Sequence, residues 1–224
     1  GTNQASCGAA PDVYYRFTIP AGSRQLVYAD TFGAGFDTVL TFASGCTTSL
    51  SAGTTGGDAP CNDDSCGTLQ SQVAALLNPG TYYLVVAGYG GATGTTPVRF
   101  QHMPVGNGPL ALLNPGSTTV SGTTSGTGQI VGCTGSGPEN TYWWRTCNTA
   151  GAGTLTATTC SRASWDTVLY FSNGDGGGGA CNDDACGLQS QISGAVTAGP
   201  GLHTLTIDGW GGNSGPYSIA VTRP

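Results

Sequence analysis

The sequence predicts an all-β protein made of two tandem β-sandwich domains. Three observations carry this. Short stretches of alternating apolar and polar residues recur along the chain, which is the period of strands with one buried face. Clusters of Pro and Gly punctuate them as turns. Blocks from the first half recur, in the same order, in the second.

In chain order, Tyr15-x-Phe17-x-Ile19 alternates and Pro20-Ala-Gly22 ends it. Leu26-x-Tyr28 and Val39-x-Thr41 keep the same period. Val73–Leu77 is the one stretch that reads as a helical turn. Asn78-Pro-Gly80 then leads into Leu84-x-Val86. In the second half Leu155-x-Ala157, Val168-x-Tyr170 and Leu205-x-Ile207 follow the same pattern, with Gly199-Pro-Gly201 as a turn.

The duplication is visible residue by residue. Asp37-Thr-Val-Leu40 recurs as Asp166-Thr-Val-Leu169, and Leu69-Gln-Ser-Gln-Val73 as Leu188-Gln-Ser-Gln-Ile192. Residues 79–91 align without a gap to residues 200–212. Tyr14-Tyr15-Arg16 is matched to Trp143-Trp144-Arg145. The expected division is a first domain over 1–104, a linker over 105–111 and a second domain over 112–224. Residues 114–124 read as an opening strand of the second copy. Gly1–Cys7 aligns with roughly 127–133, so the first copy is expected to lack that strand and to leave a sheet edge uncovered.

Composition narrows the function. The chain of 224 residues has 39 glycines and no lysine, and only 8% of its residues are charged. Its net charge of −6 and its lack of a basic stripe argue against a nucleic-acid partner. No apolar run approaches the ~20 residues of a membrane span. No signal peptide is visible, and Gly1 reads as the start of a mature or trimmed chain. Nine cysteines point to disulfides and an oxidising compartment. Zinc is the rival, but neither His102 nor His203 lies beside a cysteine. An odd count leaves one thiol free or paired outside the chain.

The order of blocks resembles the bacterial pre-peptidase C-terminal (PPC) domain, in tandem. An aromatic strand is followed by DTVL, NDD, SQV or SQI, PGTYY and a Gly-flanked aromatic, then a last strand, GPYSIAV in the second copy. The resemblance covers nearly the whole chain. It implies jelly-roll-like sandwiches that serve as non-catalytic accessory modules on secreted proteases and other extracellular proteins. Some members of that family bind calcium, and some bind collagen or polysaccharide.

The repeated CNDD loops are the main candidate site. Asn62, Asp63 and Asp64, with Asp37, offer hard oxygen ligands of the kind calcium takes; Asn182, Asp183 and Asp184, with Asp166, do the same in the second copy. The plainer reading is a stapled turn, since Asn and Asp cap their own backbone. Cys61–Cys66 and Cys181–Cys186 bridges would close it, each contributing ~2 kcal/mol or less. Cys46 is an alternative partner for Cys61, and Cys147 and Cys160 flank a predicted hairpin as a further pair. The partners of Cys7 and Cys133 are not legible. Catalysis is the weakest reading: Glu139 is the single glutamate, and neither G-x-S-x-G nor H-E-x-x-H occurs.

Tyr89 and Trp210, each set among glycines, are candidates to meet a sugar or a partner, with a core-capping ring as the alternative. Trp143 and Trp144 should face opposite sides of a strand, one in the core and one at the surface. Together these features predict a non-catalytic secreted structural or adhesion protein at the extracellular surface. Its expected cofactor is calcium, and its expected partner is itself or an extracellular glycan or protein. One alternative is a filament or surface-layer subunit joined by strand addition or disulfides. Another is a carbohydrate- or collagen-binding accessory module of a secreted hydrolase.

Overall fold

The computed structural model describes residues 12–45, 48–50, 61–128, 133, 135–174 and 179–224. Cys7 and Cys46 lie outside these. The chain divides into two compact units, Gly1–Met103 and Pro104–Pro224. The first carries β1 (Val13–Ile19), β2 (Arg24–Asp30), β3 (Thr38–Gly45), β4 (Thr48–Ser49), β5 (Cys61–Asn62), β6 (Gln72–Leu77), β7 (Gly80–Gly88) and β8 (Arg99–Val105). One sheet runs β1-β7-β3-β4, with β5 also on β3, and the other runs β6-β2-β8.

The second unit carries β9 (Leu110–Leu112), β10 (Gly116–Thr123), β11 (Asn140–Thr146), β12 (Gly153–Thr158), β13 (Thr167–Asn173), β14 (Ala180–Asn182), β15 (Gln191–Val196), β16 (Gly201–Gly209) and β17 (Pro216–Arg223). Its sheets run β14-β13-β16-β11-β9 and β10-β17-β12-β15. The protein is all-β, with mainly antiparallel ladders; β9 on β11 is parallel. Leu110–Leu112, most of it within the stretch read as linker, is thus a strand, in register with Thr141–Trp143.

Apolar residues of the two sheets face each other to make each core. In the first unit Leu40, Phe42, Leu84 and Val86 pack against Val27, Ala29, Val73, Ala75 and Leu77. Val73–Leu77, read as a helical turn, is therefore a strand. Its alternate residues Val73, Ala75 and Leu77 enter the core, and a period of two prevails over the short apolar run. In the second unit Leu169, Phe171, Leu205 and Ile207 face Leu155, Ile192, Ile219 and Val221.

The ladders correct the repeat alignment at the aromatic strand. Tyr15 stands opposite Leu84, and Tyr142 opposite Leu205. Leu84 and Leu205 are the same place in the repeat, so Phe17 is the counterpart of Trp144. The aromatic doublets were matched two residues out of register, a slip that keeps every side chain on its proper face. Trp144 lies in the core, stacked on Phe171 at 5.8 Å and on His203 at 5.1 Å, with the Arg223 guanidinium 5.1 Å from its ring. One ring of the pair was expected at the surface, but Trp143 is equally buried, at 1% exposure. Thr141, Thr204 and Thr206, which share its face, are buried too. That sheet is closed from solvent on both sides, so the one-wet-face assumption fails there.

Trp144→Ala should lower the unfolding free energy by about 3–5 kcal/mol, as for a fully buried ring. Phe17→Ala at the equivalent but half-buried place should cost about 1–2 kcal/mol. Urea titration of the two variants checks this difference in burial, and equal losses would contradict it.

Candidate functional site

Each sandwich carries a rim built from the same parts. Its base is a triad of buried hydroxyls that ties the two sheets together. In the first unit Thr31 Oγ1 and Thr38 Oγ1 are 2.6 Å apart, and both accept the Ser71 N–H, at 2.9 and 3.1 Å. In the second unit Thr159 and Thr167 are 2.7 Å apart and accept the Ser190 N–H at the same two distances. All six residues have 0% exposure. The motifs DTVL and SQ, read only as repeat markers, supply the central Thr and the Ser of this triad.

The triad fixes the acid loop above it. Ser71 Oγ donates to the carbonyls of Thr38 and Asp63, and Ser190 Oγ to those of Thr167 and Asp183. The loop asparagines act as braces: Asn62 Oδ1 accepts the Gln72 N–H and Asn182 Oδ1 the Gln191 N–H, both at 3.0 Å. The Asn62 amide also donates to the Asp64 carbonyl at 2.9 Å.

Asp37 and Asp166 precede β3 and β13. One oxygen of each, Oδ1, is sealed from solvent and accepts no hydrogen bond. Burial, then the charges of Asp64 and Asp63, raises the Asp37 carboxyl above its ordinary value. Burial with Asp184 and Asp183 does the same to Asp166. Each rim thus gathers negative charge. Orphaned hard oxygens beside further carboxylates and loop carbonyls have the donor chemistry of a calcium site. Among the described residues, no three His, Cys, Asp or Glu side chains are already gathered into a metal cluster.

Next to the acids stands the ring. The Tyr89 N–H bonds the Asp37 carbonyl at 3.1 Å, and the Trp210 N–H bonds that of Asp166 at 3.2 Å. The glycines around each ring are dictated by the turn. A Cβ on Gly88 or Gly209 would lie 1.7 or 1.8 Å from the carbonyl oxygen of Ala92 or Asn213. Gly90 and Gly211 take φ of 57° and 56°, the left-handed region. The turn therefore holds the side chain outward: Tyr89 is 51% and Trp210 45% exposed. Leu69 and Leu188, which sequence reading passed over, join the same rim. Their carbonyls accept the N–H groups of Thr38 and Thr167, while their side chains are exposed. The repeated SQ block alone gave no signal of that.

The disulfides anchor the acid loop outward instead of closing it on itself. Cys181 pairs with Cys133 and Cys186 with Cys160, with Cα atoms 6.0 and 5.9 Å apart. The expected Cys181–Cys186 and Cys147–Cys160 bridges are thereby ruled out. Loops of 48 and 26 residues are closed. In the chain-entropy account each stabilises by about 3–4 kcal/mol, well above a six-residue ring. Cys61, Cys66 and Cys147 are also disulfide-bonded, and a Cys61–Cys66 ring is not among the described bridges.

No protein-family model and no curated protein matches the sequence. Among solved structures, the chain is similar to the CUB1-EGF-CUB2 domains of rat MASP-1, at 9% identity and a TM-score of 0.28, over 96% of this chain and 92% of that one. A likeness of that size carries no functional inference.

The raised carboxyls make a signed prediction. An acid whose pKa is raised by folding favours the folded state while protonated, and that advantage is lost as pH rises through the folded pKa. In chelator, Asp37→Asn and Asp166→Asn should therefore raise the melting temperature at pH 7 and have little effect at pH 3. A lowered melting temperature at pH 7 would show that the carboxylates are already paired.

Proposed function

We propose that the chain is a non-catalytic extracellular structural or adhesion module of the PPC type, with a calcium-responsive acid loop on each sandwich. The observation that carries this reading is the repeated rim. In both copies an unpartnered carboxylate oxygen feels further acids, and the backbone of the same residue holds the turn that carries an exposed aromatic ring. A turn needing only shape has no use for a sealed, unpartnered carboxylate oxygen, which costs stability until a cation meets it. Disulfides fit an oxidising extracellular setting. Both histidines are engaged within strands: His102 Nδ1 with Gln25 at 2.6 Å, and His203 Nδ1 with Asn173 at 2.8 Å. That favours packing over acid–base work. Among the described residues, no helix is long and apolar enough to cross a membrane.

The exposed Tyr89 and Trp210 favour a second reading, in which the rims stack on a glycan or on collagen as an accessory module does. A neutral polysaccharide should then quench Trp210 fluorescence, and Trp210→Ala should lose binding without losing stability.

Calcium is the direct test of the first reading. A ligand bound only by the folded form stabilises by about 2.7 kcal/mol at a hundred times its Kd. The melting temperature should rise with calcium and fall back in chelator. The rise should be roughly halved by Asp166→Asn and abolished when Asp37→Asn is added. A melting curve that ignores both calcium and chelator would reduce the loops to plain turns.

A further inference from the structure

The two sandwiches differ at one mouth. In the second unit β10 lies along β17 over Gly116–Thr123 and closes the gap between the sheets. Val120 packs against the core. The Thr123 carbonyl and the Tyr217 hydroxyl both accept from the Asn140 amide, at 3.2 and 2.9 Å. Beneath this strand Asn140, Tyr142 and Trp144 are 5%, 7% and 1% exposed.

In the first unit the same three places are Val13, Tyr15 and Phe17, set by their register against Val86, Leu84 and Tyr82. They also point toward the other sheet, yet Val13 is 53% and Tyr15 50% exposed. On the facing sheet Phe100, the counterpart of Val221, is 36% exposed against 2%. Among the described residues no strand corresponds to β10, and β8 ends its sheet. The ladder is shorter to match. Pro216–Ile219 of β17 are held as strand by β10, whereas the equivalent residues 95–98 belong to no strand. A cavity of about 420 Å³ opens there, lined by Tyr15, Phe17, Thr96, Val98 and Phe100.

We propose that this mouth is a strand-capture site. It takes an uncharged, extended peptide strand from another polypeptide, antiparallel to residues 95–100, with an apolar residue seated in the cavity beside Tyr15 as Val120 is packed against the core of the second unit. The occupant's chemistry is written in the chain's own second copy. Gly116–Thr123 carries no charge, consists of hydroxyl residues and glycines around a single apolar side chain, Val120, and fills the matching slot. Arg16 is the one charged group lining the cavity, so the slot repels no neutral strand. Main-chain hydrogen bonds would supply affinity and the buried apolar side chain specificity, as in other strand additions. Strand capture uses neither the acid loops nor the exposed rings, and therefore goes beyond the calcium reading.

The experiment uses a peptide of sequence GSTTVSGT, that of Gly116–Thr123, with the full disulfide-bonded chain in chelator, so that its outcome is independent of calcium. Saturable binding should slow exchange of the Thr96, Val98 and Phe100 amides at least about tenfold. Tyr15→Glu in the protein, and Val120→Asp in the peptide, should each weaken binding at least about tenfold. Tyr15 is half-exposed, and the peptide variant tests the same contact without touching the protein's fold. A protein that self-associates and is dispersed by the peptide would identify a second copy as the donor and uphold the site. No binding, binding indifferent to both changes, or amides already protected before the peptide is added would overturn it.

Discussion

The rim of each sandwich depends on three buried hydroxyls. Thr31 directly follows β2, Thr38 opens β3 and Ser71 directly precedes β6, and so they join the two sheets where the acid loop begins. Their own polar atoms are satisfied within the cluster, the condition under which buried polarity rigidifies a core instead of weakening it. The Ser71 hydroxyl then reaches the Asp63 carbonyl, so the position of the loop is inherited from the joint between sheets. Asp37 immediately precedes Thr38, and its carbonyl holds the turn that presents Tyr89. Acid, ring and loop are thus three outputs of one joint, repeated around Thr159, Thr167 and Ser190.

The two copies keep this joint and diverge around it. The second has β10 and a core closed over Trp144, while the first ends its sheet at β8 and leaves Tyr15 half open. That difference among the described residues changes hydration locally but not the register of the remaining ladders. Thr38 still pairs with Gly88, as Thr167 does with Gly209. One repeat can therefore specialise at its mouth while its rim stays the same.

Much of the fold was legible in the sequence because strand period is a local property. The blocks around Phe17, Leu40, Leu84, Leu155, Leu169 and Leu205 all became core-facing or slot-facing strands. What depended on distant partners was not legible. DTVL and SQ showed repetition, but the hydrogen bonds between them span 33 residues in the first copy and 23 in the second. Nearness in sequence also misled the cysteine pairing. The ends of CNDDAC meet Cys133 and Cys160, since bridge formation follows Cα separation in the fold and not separation in sequence. The expectation that one ring of the Trp143–Trp144 pair is at the surface failed because alternation reports which residues share a face, not whether that face is wet. Of the candidate acids, Asp37 feels the charges of Asp63 and Asp64, and Asp166 those of Asp183 and Asp184.

The hydroxyl joint is most directly tested by native-state hydrogen exchange at the amides of Ser71 and Ser190. Both donate to threonine side chains as well as lying at strand entries, so their protection reports the triad. The account predicts protection comparable with that of the core amides of Phe42 and Phe171, lost at Ser71 alone in a Thr31→Val, Thr38→Val variant. Exchange at Ser71 and Ser190 close to the rate of an unstructured chain, while Phe42 and Phe171 stay protected, would contradict it.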